Sequence, residues 1–131
     1  MISKAALKNL IDHIEAERRQ DLDSMIAPLS DRARYVIQDS VFEGREAIRA
    51  MYAAGLDKLT DANMDEYQRA LDDPSVTSWG ERHCVIEYSD DYPLHRNMVV
   101  VVHFDEDDKL VSENTYWRGP NRLAVPFAKL S

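Results

Sequence analysis

The sequence has a single cysteine, Cys84, only four glycines and five prolines in 131 residues, and no apolar run near the roughly 20 residues that cross a bilayer. One thiol excludes an internal disulfide framework and any multi-cysteine metal centre, and it suits a reducing compartment. The scarcity of glycine and proline excludes a collagen-like or low-complexity chain. Basic residues are also few: 16 Lys and Arg stand against 24 Asp and Glu, for a formal charge of −8. Neutralising phosphates takes a concentrated cationic surface, so neither nucleic acid nor a membrane is an expected partner. The segment Met1-Ile2-Ser3-Lys4 opens without the long apolar stretch of a signal peptide, and a cytoplasmic location is the expectation.

What is present is globular in character, with 44% hydrophobic and 31% charged residues. The length fits one domain, 1–131, with its own core. Leu7, Leu10, Ile11 and Ile14 recur at helical spacing behind Ser3, a good N-cap, which predicts a helix over about 4–18. Asp21 opens a second, one- or two-turn helix with Leu22, Met25 and Ile26 on one face, ended by Pro28 and Ser30. Residues 34–38 read as a short strand leading to Asp39. Gly44 then starts a third helix, whose stripe is Ile48, Met51, Tyr52, Leu56 and Leu59.

From Met64 onward the pattern alternates, predicting four strands near 64–71, 77–89, 95–104 and 110–118. The intervening segments hold Asp72, Asp73, Asp90, Asp91, Asp105, Glu106, Asp107 and Asp108, which together equal the acidic excess. The acidity thus reads as turn chemistry and solubility. Helices first and a bent antiparallel meander after them make an α+β fold. The run Met98-Val99-Val100-Val101-Val102 is apolar on both faces, so both faces need cover. Either a second subunit supplies it, as a homodimer through the outer sheet face, or long neighbouring side chains do.

The run from Ala33 to Tyr52, with Gly44-Arg45-Glu46-Ala47-Ile48-Arg49 at its centre, followed by Phe104-Asp105-Glu106-Asp107-Asp108-Lys109-Leu110-Val111 and Tyr116-Trp117, resembles the nuclear transport factor 2-like superfamily. Within it, the chain is most similar to SnoaL-like proteins and ketosteroid isomerases. The resemblance implies a cystatin-like, cone-shaped barrel in which a curved antiparallel sheet wraps the N-terminal helices. It also implies an apolar pocket at the open end and dimerisation through the outer sheet face. The superfamily hosts isomerases, cyclases, hydrolases and proteins without catalysis, so the pocket residues must decide function.

Asp39 resembles the general base of the isomerases: a carboxylate at a pocket wall can take a proton α to a carbonyl, although it can equally cap its own turn. His13 falls where those isomerases carry an oxyanion-hole tyrosine and can donate a hydrogen bond, or it is a surface helix residue. The isomerases' second donor, an aspartate, is replaced by Val100 or Val102, according to register. On the last strand, alternation groups Glu113, Thr115 and Trp117, and the resemblance implies that this face lines the pocket. Glu113 is there a second acid or orienting group needing a partner, or else a solvated ion-pair residue. SnoaL-like cyclases often place an acid after the Tyr-Trp pair, where this sequence has Arg118.

Cys84, Ile86 and Tyr88 share one strand face, and Val100 and Val102 share one of its neighbour. With Trp117 they make either the wall of a cavity for a small hydrophobic molecule or simply a filled interior. Cys84 reads as a core residue, not a nucleophile. His83 and His103 fall on the opposite, outer face. The four histidines lack ligand spacing, so no metal is expected, and side-chain acid/base chemistry needs no cofactor. Two functions remain open: a SnoaL-like isomerase, cyclase or hydrolase with catalytic residues Asp39, His13 and Glu113, and a non-catalytic dimeric ligand-binding module.

Overall fold

The computed structural model describes residues 1–95 and 97–117. Helix α1, Lys4–Arg19, begins at Ser3, whose side-chain oxygen accepts from the Ala6 N–H at 3.0 Å. Its start is also anchored from a distance. The Ser3 hydroxyl donates to Asp108 Oδ1 at 2.7 Å, and the Asn9 amide donates to the Asp108 carbonyl at 2.7 Å. The buried face of α1 is Ala6, Leu10, His13, Ile14 and Ala16, while Leu7 and Ile11 are exposed. The stripe is therefore rotated from the one that the leucines and isoleucines suggest. Helix α2, Leu22–Ile26, is capped by Asp21 and buries Met25 and Ile26.

Strand β1, Leu29–Ile37, starts well before residue 34. Its polar residues Asp31, Arg32 and Arg34 are exposed, whereas Ala33, Tyr35 and Ile37 point into the core. A turn at Gln38 and Asp39 leads to β2, Ser40–Glu43, an antiparallel partner of β1 that the sequence pattern did not suggest. Gly44 then takes φ +88° and ψ 159°, a conformation that side chains resist, to swing the chain into α3, Arg45–Asp57. The Gly-Arg-Glu motif is thus a backbone device for starting this helix.

The expected strand at 64–71 is instead part of helix α4, Asp61–Asp72. Thr60 and Asn63 form a reciprocal capping box, and Tyr67, Ala70 and Leu71 bury at helical spacing. The apolar residues here fit both periods, and the cap decides between them. The expected strand at 77–89 is a hairpin, β3 Ser75–Trp79 and β4 His83–Glu87, turning through Gly80 at φ +71°. A 3-10 turn, Pro93–His95, precedes β5, Met98–Phe104, and β6, Leu110–Trp117. Arg118 lies outside the described residues.

Among the described residues the strands form one six-stranded sheet in the order β2-β1-β6-β5-β4-β3. The β1–β6 pair is parallel and the others are antiparallel, so the sheet is mixed where an antiparallel one was expected. Strands β2 and β3 are its edges among the described residues, whose strands do not close into a barrel. The acidic turns divide by role. Asp105 Oδ1 accepts from the N–H groups of Asp107 (2.8 Å) and Lys109 (3.0 Å) to shape the β5–β6 turn. Asp72 instead pairs with Arg18, and Asp73 ends α4. Among the described residues, no helix is long and apolar enough to cross a membrane.

Register assigns the two sheet faces. Val100 opposes Thr115 and Ile86, and Val102 opposes Glu113 and Cys84, on the face that meets the helices. Val101 opposes Val85 and Asn114, and Val99 opposes Tyr116 and Glu87, on the other face. His83 and His103 are cross-strand partners on that outer face, their rings stacked at 4.2 Å. Burial, with the like charge of His83 second, holds the His103 imidazole below its ordinary range.

Candidate functional site

Between the inner sheet face and the helices lies a cavity of about 60 Å³, several times what a single water needs. Its apolar wall includes Ile37 from β1, Met51 from α3, Leu94 from the 3-10 turn, and Met98 and Val100 from β5. Tyr35, Tyr52, Tyr88 and Trp117 add aromatic surface. The polar lining is Glu17 from α1, His95 from the 3-10 turn, and Glu113 and Thr115 from β6.

His13 stands behind this lining, 2% exposed. Its Nδ1 lies 2.8 Å from the Met25 carbonyl, which can only accept, so Nδ1 carries a proton. Nε2 lies 3.1 Å from the Tyr52 hydroxyl, 3.4 Å from the Tyr35 hydroxyl and 3.8 Å from Glu113 Oε2. The Tyr52 hydroxyl donates to that of Tyr35 at 3.2 Å, and Tyr35 in turn donates to the Glu113 carboxyl. A continuous chain thus joins an imidazole to a carboxylate. With His13 protonated, every donor points toward Glu113. With the proton moved to Glu113, the same hydroxyls can reverse and Nε2 accepts. The two arrangements differ only in where one proton resides.

Burial raises the Glu113 carboxyl above its usual range, and His13 and the Tyr35 hydrogen bond pull it partly back. Glu113 Oε2 is itself buried without a hydrogen-bond partner. Two other polar atoms of the cavity residues share that condition: Trp117 Nε1 and His95 Nδ1. Leaving a buried polar atom unpaired costs on the order of 1–3 kcal/mol, and three around one cavity mark where a polar ligand would be held. His95 sits between the rings of Tyr88, at 4.6 Å, and Tyr67, at 5.8 Å. Burial there lowers its imidazole to about 4, so it is neutral near pH 7.

Glu17, one helical turn after His13, is the second carboxyl of the cavity. Burial pushes it up to about 7, with His13 opposing and the like charge of Glu113 adding. The Tyr67 hydroxyl donates to its Oε1 at 3.2 Å. Burial also drives the hydroxyls of Tyr35, Tyr52, Tyr67 and Tyr88 well above the ordinary tyrosine range, so they act as hydrogen-bond donors and stay neutral.

Of the three residues expected to do chemistry, His13 and Glu113 meet, and Asp39 does not join them. Asp39 is exposed in the β1–β2 turn, because the hairpin carries it past the end of the inner face. Trp117, Tyr88 and Val100 line the cavity. Ile86 and Val102 are instead packed in the core at 2% and 0% exposure and are not among the residues lining the cavity. Cys84 is fully buried and pushed up to about 12 by burial, with Glu113 adding. Sequence reading missed Glu17, Tyr35, Tyr52 and His95. The available signal was the spacing of His13 and Glu17, which share a helix face, but the exposed Leu7 and Ile11 drew that face elsewhere. Among the described residues, no three His, Cys, Asp or Glu side chains are grouped to hold a metal ion.

No family model and no curated protein matches this chain. Solved structures do. A steroid delta-isomerase from Pseudomonas aeruginosa is 15% identical with a TM-score of 0.65, over 95% of this chain and 88% of that one. An NTF2-like protein from Burkholderia xenovorans LB400 is 12% identical with a TM-score of 0.65, over 95% and 97%. The epoxide hydrolase/cyclase-like enzyme SalBIII, of pyran ring formation in the polyether salinomycin, is 14% identical with a TM-score of 0.60, over 88% and 92%. At such identities the likeness speaks for architecture alone, and it agrees with helices leading into a mixed sheet: the chain has the nuclear transport factor 2-like, cystatin-like fold.

Proposed function

We propose that this protein is a cofactor-independent acid/base catalyst of the isomerase, cyclase or hydrolase type, acting on a small, largely apolar molecule. The observation that carries the reading is Glu113 Oε2: a buried carboxyl oxygen, unpartnered, beside a cavity and 3.8 Å from His13 Nε2. A carboxylate held that way takes a proton from bound substrate more readily than one in water. The electrons released move to a substrate oxygen, for which the unpartnered Trp117 Nε1–H is a ready donor. The proton taken by Glu113 passes along Tyr35 and Tyr52 to His13, or returns to the substrate at a second atom, completing an isomerisation.

The test is a panel of β,γ-unsaturated cyclic ketones and epoxy alcohols, with products followed by chromatography. Turnover is expected for the wild-type chain and a loss of about a thousandfold in Glu113→Gln, the usual weight of a general base. Binding without turnover across the panel would replace the catalyst with a passive ligand-binding module.

The outer sheet face supports a homodimer. Val99, Val101 and Val85 are only partly covered, and Val41 and Tyr116 are 47% and 55% exposed. Apolar residues left open on one sheet face are costly in a free monomer. Sedimentation of wild-type and Val101→Glu chains is the check: the wild type is expected to sediment as a dimer and the variant as a folded monomer.

A further inference from the structure

The polar groups of the cavity are unbalanced in charge. Glu17 and Glu113 both line it, and no lysine or arginine appears among the described lining residues. His13 supplies at most one positive charge behind the wall, and it is already committed to the chain ending at Glu113. His95, 5% exposed, adds none: it is neutral, and its Nδ1 is buried without a partner beside the cavity. One carboxylate is therefore left uncompensated when both are ionised. The surrounding surface is aromatic, with Tyr35, Tyr52, Tyr88 and Trp117, whose ring faces favour a cation.

The geometry points to a ligand of defined charge: a small apolar molecule carrying a protonated amine, held between Glu17 and Glu113 against the aromatic wall. This assignment rests on the acid/base reading above and narrows its substrate class. The ammonium supplies the missing positive charge and pairs with the Glu17 carboxylate, leaving Glu113 Oε2 open to take the substrate's proton, and the neutral His95 Nδ1 can accept a further hydrogen bond without repelling it. A carboxylate ligand would instead face two like charges.

Binding is then linked to pH through Glu17. The titratable groups facing it are His13 on its own helix, Glu113 from β6, Tyr35 from β1, Tyr52 from α3, Tyr67 from α4 and Tyr88 after β4. The tyrosines stay neutral through this range, and the charge of Glu113 hinders the ionisation of Glu17. An ammonium favours both carboxylates and so releases protons as it binds.

The experiment is calorimetric titration of the full chain with three ligands of one shape: cyclopentylamine, cyclopentanol and cyclopentanecarboxylate, each at pH 6 and pH 8. The amine is expected to bind at least tenfold tighter than the alcohol at pH 8, with the carboxylate weakest. Its affinity should rise up to about tenfold from pH 6 to pH 8, as Glu17 ionises. Glu17→Gln should remove that rise, and a cooperative denaturant transition of the variant reports that it is folded. Glu113→Gln gives a second, independent loss of amine preference. Equal or tighter binding of the alcohol or the carboxylate, no binding of any of the three, or a pH rise that survives Glu17→Gln would overturn the assignment. A catalyst of neutral substrates would keep its Glu113-dependent turnover while showing no amine preference, so the two readings fail separately.

Discussion

The two faces of strand β5 are built from nearly the same residue, and they do different things. Val100 and Val102 point inward at 3% and 0% exposure, against the cavity and the core. Val99 and Val101, one position away, lie on a face that no helix of the described chain covers. On the inner face, the apolar residues create a medium in which a few polar atoms become expensive and reactive. On the outer face, the same apolarity meets water, and the homodimer proposed above would cover it. Hydrophobicity alone does not distinguish the two; what distinguishes them is which polar groups it surrounds.

The strongest way to break this comparison is at its polar centre. Glu113→Gln is expected to lower turnover about a thousandfold, equivalent to roughly 4 kcal/mol. A control on the outer face, Val101→Thr, should change turnover less than twofold. A large effect of the control would mean that the inner face is not where the chemistry lies.

Next in size is a packing contrast. Val102→Ala removes two methyl groups from a fully buried site and should cost about 2–3 kcal/mol in chemical denaturation. Val101→Ala should cost the monomer about 0.5 kcal/mol. Equal costs would show that the outer face is covered as completely as the inner one.

The pH dependence of stability separates two inner-face groups of opposite sign. Between pH 4.5 and about 7 the unfolded chain has released the Glu17 proton while the folded chain retains it, so stability from this group is lost as pH rises. His95 behaves in reverse. Below 6.5 the unfolded chain takes up a proton that the folded imidazole resists down to about 4, so stability is lost as pH falls. In the wild type the two slopes oppose each other between pH 4.5 and 6.5. His95→Phe should expose the Glu17 slope, a loss of about 2 kcal/mol from pH 5 to pH 7, allowing for partial exposure of the carboxyl. Glu17→Gln should expose the other, a gain of similar size from pH 4 to pH 6.5. Denaturant titrations at these pH values read both.

The smallest effect is expected at Asp39. Being exposed in the β1–β2 turn, it should tolerate Asn with less than a twofold change in turnover and within about 0.5 kcal/mol in stability. A collapse of activity in Asp39→Asn would move the reactive centre from the cavity to the hairpin.

How much of this was written in the chain differs from element to element. Helix α1 was legible because Ser3 and the apolar spacing agree, but its orientation was not. Leu7 and Ile11 look like core residues and are exposed, whereas His13 and Glu17 look like surface residues and face the interior. Nothing in a helix's own sequence says which of two overlapping faces its neighbours will cover. Residues 64–71 carried apolar residues compatible with both periods, and the Thr60–Asn63 cap resolved them as helix. Glu113 was legible because alternation groups it with Thr115 and Trp117 and the family resemblance turned that face to the pocket; the register, with Thr115 opposite Val100 and Glu113 opposite Val102, places it there.

By itself the sequence determined the helical period of α1 and α3, the acidic turn around Asp105, the helix start at Gly44 and the two-sided apolar strand, because these depend on local sterics and on side-chain spacing. Only the tertiary structure decided that β1 and β6 run parallel, bringing Tyr35 beside Glu113, and that α1 turns His13 and Glu17 toward them. In the proposed mechanism a carboxyl becomes a proton carrier through what surrounds it. That surrounding is assembled from α1, α3, β1 and β6, which are distant in sequence, and burial against all of them sets the charge each group can hold.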